Sequence, residues 1–404
     1  MKKNRLNKKY LVISHNYWPA IGGAEKLLQS IAEKIKQEHL EVDVLTSNAK
    51  NSAMYLAKNK EIVGSKREII NGVVVRREDI NNMVQFCGKV LWKIFEKKKK
   101  ILDNLGPLLI GPHFPLFLFH YVFSRKKYTH IICGPYPTTV VFYGYLMKIC
   151  KPSVKFIIVP CIHINDFFHT GKLLRFISRR ADTILVLTKE ETIFFRSIGV
   201  KESKILEVGV GVDENLLVTD PDLQNITVDQ VLYMGQEVPH KNTILLIEAM
   251  TKLWEKGSET KLLIAGAKTE YSAVIDAHIK KMNKTFQNNI RRENNFDEKR
   301  KIQLLDNCKI MILPSSQESF GIVFLEAWSR KKPVIGANVP AVRYLIENRK
   351  DGLLFENGDS DDLAEKIDYL LKNENKATEF GLAGYKKTLE KYSWNVIINK
   401  IINI

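Results

Sequence analysis

The sequence predicts an α/β protein of two doubly wound parallel-sheet domains, and three observations predict it. Short apolar runs alternate with longer segments of helical period through most of the 404 residues. The alternation breaks at a polar stretch near the middle and then starts again. The length also allows two domains, each burying its own core. Strands covered on both faces read as near-continuous apolar runs, and the helices between them supply the crossovers that parallel pairing needs.

In the first series the strand-like runs are Tyr10–Ser14, Val42–Leu45, His130–Cys133, Lys155–Pro160 and Thr183–Leu187. Helical patterns lie at Glu25–Lys36 and Pro137–Lys148. The polar segment Val210–Asp229 carries Pro221 and reads as a linker. The second series is Gln230–Met234, Lys261–Ala265, Lys309–Leu313 and Pro333–Gly336, with helices such as Asn242–Glu255 and Ile322–Arg330. The expected boundaries are therefore a first domain at 1–210, a linker at 211–229 and a second domain at 230–390. Two such halves are expected to face a common cleft with the carboxyl ends of their strands, where ligands of doubly wound sheets bind.

Hydrophobic residues at 45% and charged residues at 26% describe a globular protein. The five cysteines are scattered, odd in number and form no CxxC pair, which argues against structural zinc or a disulfide framework. The basic start, MKKNRLNKKYLVIS, has an apolar run too short for a signal peptide, so a cytoplasmic protein is expected. Residues 104–124 carry no charge, yet Pro107, Pro112, Pro115, His113 and His120 argue against a membrane span. A surface-seeking hairpin or a buried interior loop fits that stretch better.

The net charge of +17 calls for an acidic partner, unless it is simply a solvated lysine coat. The densest basic segment, Lys89–Lys100, interleaves Trp92 and Phe95 and directly precedes the uncharged stretch. That pairing suits peripheral contact with an anionic membrane, at the inner face of the cell membrane. Neither zinc-finger spacing nor an RNP-like aromatic strand points to nucleic acid.

The strongest chemical signal is Pro314–Glu326, PSSQESFGIVFLE. A buried strand ends at Pro314, a polar loop follows, and a helix begins near Gly321. The free amides and positive dipole end of that helix suit an anion such as a diphosphate. Glu318 and Glu326 are eight residues apart, a helical rise of about 12 Å, close to the reach of a nucleotide sugar from hexose to ribose. Gly22-Gly23 sits at the first strand-to-helix turn and permits close backbone approach. Asp220-Pro221-Asp222 and Asp359-Ser360-Asp361 match the DxD pattern of metal-dependent transferases. The first lies in the linker and the second reads as a helix N-cap, so no metal site is assigned.

PSSQESFGIVFLEAWSRKKPVIG resembles the signature of the retaining group 1 glycosyltransferases of GT-B architecture, family 4. The resemblance takes in Gly22-Gly23-Ala24-Glu25, Gly211-Val212-Asp213, Gly235 to Lys241, Asp351 to Phe355 and Asn357-Gly358-Asp359. It implies two Rossmann-like domains: a first that binds the acceptor and a second that binds a nucleotide sugar. Residues 391–404 would form a terminal helix returning to the first domain. Residue by residue, it implies that Glu318 contacts the donor hexose and Glu326 the donor ribose. The amides around Ser319, Phe320 and Gly321 would face phosphate and sugar, and Lys241 would pair with the diphosphate. Gly22, Gly23 and Gln236 would border the donor, and His163, in PCIHIND, would stand near the reacting sugar with Asp166 to orient it. His15 is a weaker candidate of the same kind.

The implied reaction is metal-independent transfer of a hexose, with retention, from a nucleotide-diphosphate sugar such as a UDP-sugar. The acceptor would be a hydroxyl of a glycan or lipid-linked glycan of a bacterial surface polysaccharide, with no cofactor besides the donor. The chain departs from the family at Gln236, where an arginine is usual. It departs again at Gly266-Ala267-Lys268, a reduced glycine turn, and at Lys332, where glycine is usual. Two other readings stay open: another GT-B enzyme, such as a sugar-nucleotide epimerase or a phosphorylase, and a catalytically weak GT-B partner subunit, for which Gln236 is the main support.

Overall fold

A computed structural model describes residues 7–20, 22–50, 61–79, 88, 90–91, 93–95, 97–98, 104, 106, 108–109, 111–114, 116–123, 126–162, 171–217 and 229–404. The chain divides into two compact units, Met1–Gly209 with Ile397–Ile404, and Val210–Val396.

The first unit contains β1 (Lys9–Ser14), α1 (Gly23–Gln37), β2 (Glu41–Ser47), β3 (Arg67–Ile70), β4 (Val73–Glu78), β5 (His130–Gly134), α2 (Val140–Cys150) and β6 (Lys155–Ile158). It continues with α3 (Lys172–Arg180), β7 (Thr183–Val186), α4 (Lys189–Ser197) and β8 (Ile205–Glu207). The sheet runs β3-β4-β2-β1-β5-β6-β7-β8, parallel throughout except for the β3–β4 hairpin at its edge. Because β1 is followed by β2 on one side and joined by β5 on the other, the strand order reverses between β1 and β5. Crossovers are right-handed, so α1 and α2 cover opposite faces there and leave a crevice at the carboxyl ends of the strands.

The second unit contains β9 (Gln230–Met234), α5 (Thr243–Glu255), β10 (Lys261–Ala265), α6 (Ser272–Lys280), α7 (Lys284–Asn288), β11 (Ile290–Glu293) and α8 (Glu298–Asp306). It then runs through β12 (Ile310–Leu313), α9 (Ile322–Ser329), β13 (Val334–Ala337), α10 (Pro340–Leu345), β14 (Leu353–Phe355), α11 (Ser360–Lys372) and α12 (Glu374–Lys391). Helix α13 (Trp394–Ile402) ends the fold. The second sheet, β11-β10-β9-β12-β13-β14, is wholly parallel. Its order reverses between β9 and β12, so the turns leading to α5 and α9 flank the crevice of this unit.

The apolar runs become strands because their side chains are buried on both faces: every residue of β5, β9, β12 and β13 is buried. Part of the uncharged stretch is interior. Phe114, Phe117, Tyr121 and Val122 join the core cluster of Leu11, Ile131 and Phe156, while Leu116 and Phe123 stay exposed. Among the described residues no helix is long and apolar enough to cross a membrane. Within Lys89–Lys100, residues 89, 92, 96, 99 and 100 lie outside the described residues, Trp92 among them.

Candidate donor site

The turns after β9 and β12 are sewn together before any side-chain charge is considered. After β9, a single helical turn at Pro239–Lys241 leads to Asn242, whose φ of 51° is left-handed, a region that asparagine tolerates. Its side-chain amide donates to the Pro314 carbonyl at 3.1 Å. From the other side Ser316 donates its amide (2.9 Å) and its hydroxyl (3.1 Å) to the His240 carbonyl. The second turn ends at Gly321, φ 87°, and a Cβ there would stand 2.8 Å from the Phe324 ring. Glycine is required at that point both by backbone angle and by space.

This frame brings Lys241 and Glu318 together as an ion pair between the two turns, with the carboxylate nearly buried and the ammonium largely so. Ser319 is half-buried beside it, and Phe320 is buried edge-on to Tyr392 at 5.7 Å. Glu326 points from α9 into the interior, where Lys301 of α8 donates to it at 2.9 Å. Burial pushes the Glu326 carboxyl above its ordinary value, and Lys301 pulls it part of the way back. Burial works against the Lys301 charge too, yet Glu326 and Glu298 hold its ammonium above the usual lysine range. Each predicted carboxylate therefore carries its own lysine.

Lys301 was not visible in the sequence, since it lies 25 positions from Glu326 on a helix with no motif. The same holds for Arg292 on β11, which grips the fully buried Glu237 through two nitrogens and also pairs with Asp276. That grip fixes the chain directly after Gln236, whose own side chain is exposed. Gly266 packs so close that a Cβ would fall 1.8 Å from the Gly235 carbonyl oxygen, which keeps the two turns in contact.

In the first unit, Gly22 is the N-cap of α1 in extended backbone. A Cβ there would meet the Glu25 carboxylate at 2.2 Å, because Glu25 folds back over the turn. His15 Nε2 lies 2.9 Å from that carboxylate, both groups being nearly buried. Burial alone would raise the Glu25 carboxyl, but the His15 hydrogen bond and charge hold it below the usual range. Gly23 has open space around its Cβ position. His163 and Asp166 lie outside the described residues, but the chain leading to them is anchored. The fully buried Glu191 accepts from the Ile162 amide at 2.9 Å and from the Leu187 amide at 2.6 Å. Burial drives its carboxyl up to about 7, with those amides opposing.

Of the two DxD matches, residues 220–222 lie outside the described residues. Asp359 caps α11 by accepting from the amides of Asp361 (2.9 Å) and Asp362 (3.0 Å). Lys332 is buried with its ammonium on the Asp306 carbonyl at 2.7 Å, a structural contact that burial keeps below the ordinary lysine value.

Comparison with known proteins gives a consistent result. The sequence model of "Glycosyl transferases group 1" matches residues 223–387. The capsular polysaccharide biosynthesis glycosyltransferase CapM of Staphylococcus aureus is 22% identical over 92% of this chain and 91% of its own length. The N,N'-diacetylbacillosaminyl-diphospho-undecaprenol alpha-1,3-N-acetylgalactosaminyltransferase of Campylobacter jejuni is 23% identical over 59% of this chain and 63% of its own. The Anabaena protein HepE, solved in complex with UDP and glucose, superposes with a TM-score of 0.70 at 16% identity, covering 98% of this chain and 99% of that one. With two doubly wound parallel-sheet units the chain has the GT-B architecture, and its second unit matches the group 1 glycosyltransferase model over residues 223–387.

Proposed function

We propose that this glycosyltransferase moves a hexose, with retention and without a metal, from a UDP-sugar to a hydroxyl acceptor in bacterial surface-polysaccharide synthesis. One observation carries the reading: the turn-and-helix segment 314–326 is flanked by two lysine–carboxylate pairs, Lys241–Glu318 and Lys301–Glu326. A nucleotide sugar is anionic at its centre and rich in hydroxyls at both ends, and these pairs match it by exchange. The diphosphate takes Lys241 from Glu318, which frees Glu318 to accept from sugar hydroxyls. Glu326, paired with Lys301, accepts from the ribose. Amides around Ser319, Phe320 and Gly321 face the phosphate at the positive end of α9.

In the reaction the bond between the anomeric carbon and the diphosphate oxygen breaks, and a bond to the acceptor oxygen forms on the same face. The departing phosphate oxygen takes the acceptor proton. Lys241 and the helix amides stabilise the charge that develops on the leaving group. His163 serves near the reacting sugar, on a chain anchored through Ile162 by Glu191. The first domain takes the acceptor and Gly22-Gly23 borders the diphosphate. Uridine is supported by the UDP complex of HepE, and a capsular or lipid-linked acceptor by the names of the two relatives.

Calorimetric binding of UDP, GDP and ADP in EDTA tests the site. UDP alone should bind to the wild type, and binding should be lost in Glu326→Ala and Lys241→Ala. Equal binding by both variants would remove these residues from the donor site. The exposed Gln236, where the family carries a cation, favours a second reading as a catalytically weak partner subunit. Failure of all three nucleotides to bind would move the weight there.

A further inference from the structure

The carboxyl end of β4 opens into a cavity of about 550 Å³ whose walls are unusually basic. Lys66, Arg67, Arg76 and Arg77 all line it, from both strands of the β3–β4 hairpin and the approach to β3. Two of these cations are already matched: Lys66 pairs with Asp79 at 2.7 Å, and Arg77 pairs with Glu68 through Nε at 3.0 Å. Arg67 and Arg76 make no ion pair among the described residues. Arg77 itself is buried, and its Nη1 has no hydrogen-bond partner among them. A buried guanidinium nitrogen left without an acceptor is costly, and an entering anion would remove that cost.

Two further features fit the location to an acceptor. Ser47 stands in register with Glu78, so the cavity lies at the carboxyl end of the sheet, the end that also carries His15 and Gly22. Arg77 Nη2 donates to the Trp18 carbonyl at 2.5 Å, which ties the cavity to the loop after β1, where the Trp18 indole is 54% exposed. The buried carboxyl in the wall, Glu78, is pushed up to about 7 by burial, and His120 Nδ1 lies 3.9 Å from it. Near neutral pH that carboxyl is about half protonated, so it carries less than a full negative charge toward an oxyanion and can donate a proton to one.

We propose that this cavity binds a phosphate or diphosphate group carried by the acceptor, with Arg67, Arg76 and the free Nη1 of Arg77 as its donors. The inference deepens the acceptor half of the proposed function and rests on it. Donors converging from two strands suit the several oxygens of a phosphate better than the single plane of a carboxylate. The phosphate belongs either to a membrane lipid or to a soluble phosphorylated glycan.

The test titrates inorganic pyrophosphate into the full chain after saturation with UDP, which keeps the donor site occupied. Wild type should bind, and Arg67→Ala/Arg76→Ala should bind at least about tenfold more weakly while its UDP affinity and melting temperature stay unchanged. Arg67→Lys/Arg76→Lys should recover most of the loss. Absent binding by the wild type, or equal binding by the alanine variant, overturns the proposal. If UDP itself fails to bind, the donor reading falls, and the same titration on the free chain still decides the cavity. Pelleting with phosphatidylcholine vesicles, with and without phosphatidic acid, separates the sources. Pelleting that needs phosphatidic acid and both arginines assigns a lipid phosphate; pyrophosphate binding without it assigns a soluble one.

Discussion

Three nearly buried carboxylates in each unit are held in different ways. In the second, Glu318, Glu326 and Glu237 each face a lysine or arginine. In the first, Glu25 faces a histidine, Glu191 is held by backbone amides, and Glu78 has a histidine 3.9 Å away. Lysine and arginine keep their charge across the physiological range, whereas histidine and a buried, amide-held acid titrate within it. The difference leaves these three carboxylates of the second unit in fixed ion pairs and makes the burial-raised acids Glu191 and Glu78 the pH-sensitive ones of the first.

The largest test of that contrast is Glu326→Ala, which leaves Lys301 buried with Glu298 as its remaining counter-charge among the described residues. Urea unfolding should show a loss of about 3 kcal/mol, with Glu326→Gln losing clearly less. A loss well below 1 kcal/mol would mean that the pair contributes little to the unit. Lys241→Ala should lower kcat by about 10²–10³ in a transfer assay; it also costs some stability by leaving Glu318 without its counter-charge, while the turns stay joined through Asn242 and Ser316. A drop of less than tenfold would take Lys241 out of leaving-group stabilisation.

Glu191→Gln probes the first unit. In the wild type the folded state keeps the Glu191 proton up to about pH 7, whereas the unfolded chain releases it near 4.5. Stability should therefore fall as pH rises through that window, by up to about 3 kcal/mol, and the glutamine variant should flatten the slope. An unchanged slope would show that Glu191 is charged in the folded state. Smallest is Gly22→Ala, which must push the Glu25 carboxylate aside and loosen its His15 contact, at about 1 kcal/mol by thermal melting. If it proves neutral, the Glu25 side chain has room to move.

What was legible in the sequence follows the same division. The buried strands β1, β2, β5, β9, β10, β12 and β13 match their apolar runs to within a few residues, because burial on both faces leaves an unbroken signal. The edge strands escaped. Arg67–Ile70 and Ile290–Glu293 alternate or carry charge, and Leu353–Phe355 is too short to register. Within the candidate site, Glu318, Gly321 and Glu326 were readable because one turn and one helix hold them all. Lys301, Arg292 and Glu191 were not, since each reaches its partner from another element and nothing local marks it. The cavity at β4 combines residues from a hairpin, a loop and a later segment, so no contiguous motif announces it.

The pairing of Lys241 with Glu318 has a consequence for ionic strength. A lone lysine that captures a diphosphate forms an attraction that salt screens, and its affinity falls steeply as salt is added. In the proposed donor complex the lysine leaves one anion for another, and salt weakens its attraction to the carboxylate as well as its attraction to the diphosphate. Donor affinity should therefore depend on salt much less than the number of cations in the site suggests, so the enzyme would hold its donor about equally well at low and at high ionic strength.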